Sequence, residues 1–205
     1  MGKYLTETET SFIRTSIDLT HTHAILDVGA EAGRFSQQTP DLNKFAVSID
    51  IDSYGLKRLK LKTNSVSVIQ ADARKIPVED AAFDAIFMIE VLDYIPELEQ
   101  AFAECQRTLK PNASLIVSFG NKSSLKSKLR ELRGKSYRHS YGNVMYSLRG
   151  AGFTIKRKTG YSWLPLGRMS ENRFIPFLAW VERVLGFRKI PSLSPWVIVH
   201  AVKSG

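Results

Sequence analysis

The strongest constraint on the fold of this chain is an alternation of short apolar runs with segments of helical periodicity. Two of the intervening segments, SYGLKRLKLK and PELEQAFAECQRTLK, carry apolar residues at helical spacing. Strands and helices that alternate with short connections form right-handed crossovers and a parallel sheet with helices on both faces. The sequence therefore predicts a doubly wound, three-layer α/β/α fold. Its first five predicted strands are Ala24 to Val28, Phe45 to Asp50, Ser65 to Gln70, Phe83 to Ile89 and Ser114 to Phe119.

The chain after the fifth predicted strand departs from this alternation. Residues 143–153, NVMYSLRGAGF, predict an amphipathic helix that ends at glycine, and residues 154–160 predict the strand that follows. Trp196 to Val202 predict a last strand, which we expect to be antiparallel in an otherwise mostly parallel sheet. Two segments fit neither pattern and are predicted to be insertions that cover a substrate: the Lys/Arg-rich residues 121–143 and the aromatic residues 161–195.

Composition places the chain among ordinary globular proteins. Its 205 residues are 43% hydrophobic and 24% charged, which suits one domain spanning residues 1–205. The start lacks an apolar core of signal-peptide length, and no stretch approaches the roughly 18 apolar residues of a spanning helix, so we expect a cytoplasmic protein. Cys105 is the only cysteine and lies in a predicted helix, which favours a partly buried structural thiol and excludes a disulfide framework within the chain.

Charge is distributed unevenly along the chain, whose net charge is +9. Residues 1–110 hold 12 Lys and Arg against 17 Asp and Glu, a balance of −5, whereas residues 111–205 hold 17 against 3, a balance of +14. A basic half of this kind favours an anionic partner, such as a phosphorylated substrate, nucleic acid or an acidic membrane surface. A solvated basic face that only keeps the protein in solution explains the charge equally well.

Small and acidic residues follow the first four predicted strands. Ligands of open α/β sheets bind outside the carboxyl ends of the strands, where the strand order reverses, so these residues are predicted to converge on one ligand. The small residues after the first strand let the backbone turn tightly and let the ligand approach the main chain. Asp50, after the second strand, is suitably placed to accept hydrogen bonds from both hydroxyls of a ribose.

Six segments in this order resemble the class I S-adenosylmethionine-dependent methyltransferases, particularly the small type-11 group. ILDVGAEAGRF is similar to the glycine motif of the family, VSIDID to the segment with its ribose-binding acid, and IQADARKIPVEDAAFD to the segment with its adenine-side acid. FDAIFMIEVLDYI, LKPNASLIVSF and LRGAGFTI resemble its fourth strand, its fifth strand and its late helix–glycine–strand junction. The resemblance implies a Rossmann-like fold, S-adenosylmethionine as the cofactor and methyltransferase activity. The cofactor-binding residues that it implies are Asp27, Gly29, Ala30, Glu31, Gly33, Asp50, Ile51, Asp72, Ala73, Ile89 and Glu90.

Several of these positions have a second interpretation. The family usually has a glycine where this chain has Glu31, whose side chain would crowd the methionine end of the cofactor; catechol-type O-methyltransferases resemble this chain in having a glycine, three other residues and a glycine at this turn. Asp27 suits either a direct contact with the cofactor or hydrogen bonds to the backbone of the turn. Asp72 suits either an adenine contact or a helix cap, and Asp52 is predicted to be the N-cap of the helix that follows it.

Other classes of protein share parts of this pattern. A nicotinamide dehydrogenase also has a glycine turn after its first strand and an acid after its second, but the turn here lacks G-x-G-x-x-G. A non-catalytic protein that binds S-adenosylmethionine is an alternative, as is a methyltransferase that acts on RNA or protein. The segment IEVLDY lacks the Asn/Asp-Pro-Pro-aromatic motif of base amino methyltransferases, and Cys105 lies within a predicted helix instead of at that end of the sheet. A small molecule, a lipid or quinone-like compound, or a sugar-like acceptor is therefore favoured over nucleic acid.

Methyl transfer from a sulfonium is a direct displacement, for which the protein chiefly supplies alignment and desolvation. This chemistry requires no fixed catalytic residue. A nearby base would help if the acceptor is a hydroxyl, and the candidates are Glu90, His139 and Tyr141. His139 lies in the loop-like SYRHSYG, where a surface histidine is the simpler interpretation. No metal site is predicted, since His21 and His23 have no carboxylate or thiol at suitable spacing to complete one.

The segment of residues 161–195 combines aromatic and basic side chains. Such a segment either packs on the sheet or forms a substrate lid, or it rests on an anionic bilayer as a basic amphipathic surface. The sequence leaves both interpretations open, together with the identity of the acceptor and the oligomeric state. The aromatic residues are Trp163, Phe174, Phe177, Trp180 and Phe187, and the basic residues are Arg168, Arg173, Arg183, Arg188 and Lys189.

Overall fold

The computed structural model describes residues 2–35, 45–131, 137–163 and 173–204. In these residues the chain forms a seven-stranded sheet with helices on both faces. The strands are β1 (Ala24–Val28), β2 (Phe45–Asp50), β3 (Val66–Gln70), β4 (Phe83–Ile89), β5 (Leu109–Gly120), β6 (Phe153–Tyr161) and β7 (Trp196–Lys203). The helices are α1 (Gly2–Ser16), α2 (Ser53–Lys62), α3 (Leu98–Thr108), α4 (Leu125–Glu131), α5 (Tyr141–Gly150) and α6 (Ile175–Val184).

The strands lie in the order β3-β2-β1-β4-β5-β7-β6. Strands β1 to β5 pair in parallel, and β7 is antiparallel to both of its neighbours, β5 and β6. This arrangement confirms the predicted Rossmann-like, doubly wound sheet with an antiparallel last strand. The chain runs outward from β1 through β2 to β3 and then returns to β4 on the other side of β1. The strand order therefore reverses between β1 and β4, which places the ligand crevice at the carboxyl ends of these strands.

Strand β4 shows why the central strands are continuous apolar runs. Ile86 and Met88 belong to the core between the sheet and helices α3 and α5, while Phe87 and Ile89 belong to the core on the other face. Successive side chains of a strand point to opposite faces, so a strand covered on both faces is apolar along most of its length. This burial explains why β1, β2 and β4 match their predicted bounds residue for residue.

The N-terminal segment forms α1, a helix that the sequence analysis did not predict. Its apolar side chains Tyr4, Leu5, Phe12 and Ile13 are buried in the second core, beside α6 and against the central strands. Glu9 is also fully buried. Helix α1 therefore covers the face of the sheet opposite α3 and α5, and it carries a carboxylate into the interior.

The two predicted insertions are partly described. Residues 121–143 contain α4 and the start of α5, and residues 161–195 contain α6 and a 3-10 helix at Phe187–Lys189. Their role in covering a substrate stays a prediction, as does the cytoplasmic location. No helix within the described ranges is both long and apolar enough to cross a bilayer. The ranges that lie outside the described residues are 36–44, 132–136 and 164–172, of which the last includes Arg168.

Candidate active site

A cavity of about 500 Å³ opens at the carboxyl ends of β1 to β4. Its volume lies within the range of roughly 300–1,000 Å³ that is typical of small-molecule sites. Ten of the eleven predicted cofactor-binding residues line this cavity, and Gly33 is the exception. Reasoning from the sequence did not single out several further lining residues, of which the most informative are Arg34, Phe35, Arg74, Val91 and Tyr94.

The turn after β1 depends on its glycines. Gly29 has a φ of +75°, and a Cβ atom at this position would lie 2.3 Å from Cγ2 of Val91. Its N–H donates to the Ile49 carbonyl at 2.8 Å, which ties the turn to the end of β2. Gly33 has a φ of +79° and donates to the Ala30 carbonyl at 2.8 Å. Gly33 therefore shapes the turn without lining the cavity.

Glu31 occupies the position where the family that the sequence resembles usually has glycine, and its backbone conformation accounts for that preference. Its φ is +48°, in the left-handed region that favours glycine. Its side chain is exposed at the cavity, while its N–H donates to Oδ2 of Asp50 at 2.8 Å. The approach of α2 is also close here, because a Cβ atom on Gly55 would lie 3.0 Å from the Glu31 carbonyl carbon.

Asp50 is held in a fixed orientation by two backbone donors. Oδ2 accepts from the Glu31 N–H at 2.8 Å, and Oδ1 accepts from the Asp52 N–H at 2.9 Å. A carboxylate oxygen has two lone pairs, so each oxygen retains the capacity to accept a ribose hydroxyl. Asp52 caps α2 by accepting from the N–H groups of Tyr54 and Gly55, which confirms its predicted role. The contact between Asp50 and a ribose stays a prediction.

Asp72 lines the cavity but is bound to a neighbour. Its carboxylate accepts from the Arg74 guanidinium at 2.6 Å and 3.0 Å and from the Arg74 N–H at 2.8 Å. These hydrogen bonds hold the pKa of Asp72 below its ordinary value. Arg74 also contacts Glu97 at 2.6 Å. No helix begins here, so the interpretation of Asp72 as a helix cap is wrong; an adenine contact stays a prediction and would have to share this carboxylate with Arg74.

Glu90 lies at the other end of the cavity, directly after β4. Its φ is +59°, and its N–H donates to the Ser118 carbonyl at 3.1 Å. The side chain is 7% exposed, and Oε1 accepts from the Arg34 guanidinium at 3.0 Å. Strained backbone of this kind is concentrated at functional sites. Glu90 is therefore the one predicted base that lies in the cavity with a charged partner.

A buried carboxylate of α1 supports this end of the cavity. Glu9 lies 3.5 Å from the Arg34 guanidinium and accepts from the Tyr161 hydroxyl at 2.6 Å and the Ser118 hydroxyl at 3.0 Å. Burial and the nearby charge of Glu90 raise the pKa of Glu9 to about 7. The only signal for Glu9 in the sequence is its position on the buried face of an amphipathic helix. Because the sequence analysis did not predict α1, it did not identify Glu9.

The other two candidate bases have structural contacts. His139 is 5% exposed, and its Nε2 lies 2.8 Å from the Ile95 carbonyl, so the interpretation of a surface histidine is wrong. Tyr141 begins α5, where its N–H donates to Asn121 and its ring lies under Lys158. Neither belongs to the described lining of the cavity. Cys105 lies in a helix, α3, as predicted, but it is fully buried instead of partly buried, and burial raises the pKa of its thiol to about 12.

The order of the strands sets the shape of ligand that the cavity fits. Asp72, Asp50, Gly29 and Glu90 follow β3, β2, β1 and β4, which are successive neighbours in the sheet. Three strand spacings of about 4.8 Å separate the two ends, a span of about 14 Å. Ile51 and Tyr94 line the cavity with 70% and 82% of their surfaces exposed, which suits contact with a flat apolar ring. An elongated nucleoside with ribose hydroxyls at its middle, such as S-adenosylmethionine, fits this arrangement.

Comparison with known proteins agrees with this geometry. A family profile described as "Methyltransferase domain" matches residues 26–117. The chain is 25% identical to the ubiquinone biosynthesis O-methyltransferase of Acinetobacter baumannii (strain AYE), over 88% of this chain and 77% of that protein. It is 34% identical to sterol methyltransferase-like 1 of Botryococcus braunii over 45% of this chain, and the match spans only 26% of the algal protein.

A solved structure shows the same fold. The S-adenosylmethionine dependent methyltransferase from Mesorhizobium loti superposes with a TM-score of 0.72 at 15% identity, covering 95% of this chain and 97% of that chain. The strand order, the cavity and the matched profile agree with one another. Residues 26–117 match the methyltransferase-domain family, the described chain has the fold of S-adenosylmethionine-dependent methyltransferases, and this family and fold together imply S-adenosylmethionine as the cofactor.

Proposed function

We propose that the chain methylates a hydroxyl oxygen of a small, apolar acceptor, a lipid or quinone-like compound. The observation that carries this proposal is the pairing of Glu90 with Arg34 at the end of the cavity farthest from Asp72. This end adjoins the carboxyl end of β4, beyond the positions assigned to the nucleoside. The carboxylate at this end can accept the proton that the acceptor hydroxyl loses. The apolar side chains there can contact the rest of the acceptor.

The chemistry assigns a simple role to Glu90. S-adenosylmethionine supplies a methyl group on a positively charged sulfur, which leaves as a neutral thioether when the acceptor oxygen attacks. The hydroxyl proton must go elsewhere as the carbon–oxygen bond forms, and the Glu90 carboxylate accepts it. Arg34 orients that carboxylate at 3.0 Å. Alignment by the remaining lining residues supplies most of the acceleration.

The surroundings of Glu90 favour a small acceptor over a macromolecule. Helix α1 packs across the sheet, and its Glu9 contacts Arg34, Ser118 and Tyr161, which belong to the turn after β1, to β5 and to β6. Helix α1 thus supports the acceptor end of the cavity from behind, through the contact of Glu9 with Arg34, and no residue of α1 belongs to the described lining. Phe35, Ile89 and Val91 add apolar lining there. The names of two relatives, a ubiquinone biosynthesis O-methyltransferase and a sterol methyltransferase-like protein, support an apolar acceptor.

A transfer assay with a radiolabelled methyl donor tests the proposal. Cell extract separated into lipid, polar metabolite, RNA and protein fractions is incubated with the full chain, and we expect label in the lipid fraction. Label confined to RNA or protein would reject the apolar acceptor. Binding of S-adenosylmethionine without transfer to any fraction would favour the alternative of a non-catalytic binding protein.

The variant Glu90→Gln tests the base. With the identified acceptor we expect kcat to fall about a hundredfold, because general-base catalysis contributes at least that factor in typical enzymes. Affinity for S-adenosylhomocysteine should change much less than kcat, because glutamine keeps the shape of the side chain that lines the cavity. Glu79→Gln, which removes an exposed carboxylate outside the cavity lining, serves as the control and should keep full activity. An unchanged kcat in Glu90→Gln would assign proton removal to solvent.

A further inference from the structure

Helix α6 presents its apolar side to solvent. Phe177, Trp180 and Val184 are spaced three and four residues apart, so they share one face, and they are 59%, 52% and 61% exposed. The opposite side holds Ile175, which is buried, and Glu182, which is 2% exposed. A surface helix of a globular protein normally has the reverse arrangement, with its apolar stripe on the core.

This orientation is fixed by the buried carboxylate. Glu182 accepts from the Tyr4 hydroxyl at 2.7 Å and from the Trp163 N–H at 3.1 Å, and Arg188 Nε lies 3.5 Å from it. Turning the aromatic side inward would break these contacts and leave the carboxylate to be rehydrated. The outward position of the aromatic side is therefore a built feature of the fold and does not result from loose packing.

Further exposed apolar side chains follow the end of the helix along the chain. Leu185, Ile190 and Leu193 are all more than two-fifths exposed. On the helix itself the rings of Phe177 and Trp180 stack with centroids 6.0 Å apart. Concentrated apolar exposure of this extent marks an interaction site. We call these residues, together with Phe174 and Val184, the aromatic face.

Charges on the same segment specify the chemistry of the partner. Within the described residues 173–193, the basic side chains are Arg173, Arg183, Arg188 and Lys189, and the single carboxylate is the buried Glu182. The solvent-accessible charge of this segment is therefore entirely positive. An apolar surface flanked by cations is complementary to a surface that combines negative headgroups with hydrocarbon.

We propose that the aromatic face docks on an anionic lipid bilayer. Tryptophan and phenylalanine insert at the boundary between headgroups and acyl chains, and nearby Lys and Arg side chains are attracted to an anionic surface. A second copy of the chain is a poorer occupant, because a two-fold interface would bring identical basic segments together. Nucleic acid is also poorer, since Val184, Leu185 and Leu193 cannot stack on bases.

The position of the aromatic face gives this docking a use. Tyr4 of α1 bonds to Glu182 of α6, and Glu9 of the same helix contacts Arg34, which pairs with Glu90. Helix α1 thus joins the docking helix to the acceptor end of the cavity. An acceptor dissolved in the bilayer would be available to an enzyme held there, although docking itself does not depend on the acceptor that we propose.

Vesicle co-sedimentation of the full chain tests the docking. We expect binding to equimolar phosphatidylcholine–phosphatidylglycerol vesicles and much weaker binding to pure phosphatidylcholine. The double variant Phe177→Ser/Trp180→Ser should weaken binding to the anionic vesicles at least about tenfold, a loss of 1.4 kcal/mol. Arg173→Gln/Arg183→Gln should weaken binding to anionic vesicles and leave the residual binding to neutral ones unchanged.

A matched control and a spectroscopic readout keep the result interpretable. Leu61→Ser/Tyr146→Ser removes two exposed apolar side chains from α2 and α5 and should bind vesicles like the parent chain. Anionic vesicles should shift the tryptophan emission to shorter wavelength, and Trp180→Ser alone should remove most of that shift. Circular dichroism checks that each variant is folded.

Three outcomes would overturn the docking proposal. The first is absence of binding to anionic vesicles by the parent chain. The second is a parent dimer in sedimentation that Phe177→Ser/Trp180→Ser converts to monomer, which would assign the aromatic face to a second copy. The third is RNA binding that the same variant abolishes while vesicle binding persists.

Discussion

Two glutamates at the cavity adopt backbone conformations that most residues avoid. Glu31 and Glu90 have φ values of +48° and +59°, and left-handed conformations cost L-residues roughly 1–2 kcal/mol each. The strain has a geometric result in both cases. It aims the Glu31 N–H at Asp50 and places the Glu90 carboxylate beside Arg34. These two residues therefore organise the nucleoside side and the acceptor side of one cavity.

Asp50 and Asp52 provide a test at the scale of single residues. Asp50→Ala should weaken binding of S-adenosylhomocysteine by roughly tenfold to a hundredfold, since hydrogen bonds to a charged group are worth about 1.5–3 kcal/mol. Asp52→Ala should cost about 1 kcal/mol of folding free energy through the lost helix cap and should leave affinity nearly unchanged. Calorimetric titration and thermal unfolding of both variants measure the two effects.

The same pair of measurements can refute the assignment. Asp50 also accepts two backbone N–H groups, so its variant will lose some stability, and affinity must be compared at a temperature where both variants are fully folded. Equal loss of affinity in the two variants would remove Asp50 from the ribose contact. Asp50→Asn, which keeps the side-chain shape, should fall between the parent chain and Asp50→Ala.

The site residues that the sequence predicted are marked by neighbouring residues in the chain, whereas those that it missed depend on contacts with distant residues. Asp50 is marked by the strand that ends at it, so its place at the sheet edge follows from topology alone. The partner of Asp72 is two residues away, and Arg74 also reaches Glu97, 23 residues further along the chain. Glu9 lies 109 residues from Ser118 and 152 from Tyr161, and no local pattern specifies such contacts.

Helix α1 connects two parts of the molecule through two buried acids. Tyr4 near its start bonds to Glu182 of α6, and Glu9 near its middle contacts Arg34 beside the cavity. Burying a carboxylate is costly unless hydrogen bonds and a counter-charge compensate for its lost hydration. Both acids have such partners. The position of α1 is therefore specified by polar contacts as well as by its apolar side chains.

The titration of Glu9 gives this helix a pH dependence. Burial raises its pKa from 4.5 to about 7, so the folded chain holds this proton more tightly than the unfolded chain does. Stability should consequently fall as pH rises from about 4.5 to 7, by up to about 3 kcal/mol. Glu9→Gln cannot ionise and should lose this part of the pH dependence, becoming more stable relative to the parent chain at pH 8 than at pH 5.

Chemical denaturation at several pH values checks this expectation. Gln at position 9 can still accept from the Tyr161 and Ser118 hydroxyls, so the main change is the lost charge beside Arg34. Glu7→Gln alters a carboxylate on the same helix that is 65% exposed, and it should leave the pH profile unchanged. A constant difference between Glu9→Gln and the parent chain from pH 5 to pH 8 would contradict the raised pKa.

The sequence predicted best the strands and helices whose burial produces a regular pattern of apolar residues. Strands β1 and β4 contribute side chains to the cores on both faces, and β2 contributes to one, so all three appear as mostly apolar runs. Helix α1 places Glu9 on its buried face, and α6 places Phe177 and Trp180 on its exposed face. Each helix therefore departs from the usual apolar-inside pattern. Both departures come from tertiary contacts that neither segment contains by itself.

The acidic and the basic residues are concentrated in different halves of the chain, and we assign each half to a different ligand. The acidic residues of the cavity all come from residues 1–110, whose balance is −5, and they suit a cofactor with a cationic sulfur. Residues 111–205 have a balance of +14 and include the segment next to the aromatic face. Since charge of one sign attracts the opposite sign over a distance, the basic half is expected to act on the second partner.

The basic half therefore predicts that the KM for the acceptor depends on salt and that the affinity for the cofactor depends on it much less. Exposed charges are screened beyond about 8 Å at physiological ionic strength, so the KM for an acceptor presented in anionic vesicles should rise with salt. Cofactor affinity should change much less, because it depends on contacts within the cavity. Steady-state kinetics with the vesicle-bound acceptor and equilibrium titration with the cofactor, each over a salt series, measure the two quantities.

Paired substitutions distinguish the location of charge from its total. Lys122 and Lys128 are exposed in the basic half, whereas Lys126 bonds to the Ser162 carbonyl and is left in place. Lys122→Gln/Lys128→Gln should raise the KM by at most about fivefold per residue, which corresponds to 1 kcal/mol. Lys57→Gln/Lys60→Gln lowers the net charge equally on exposed positions of α2 and should leave the KM unchanged. Equal effects of the two pairs on the KM would mean that only the net charge of the protein matters, and not the location of the charge. A KM that does not depend on salt would mean that the basic half serves only to solvate the surface.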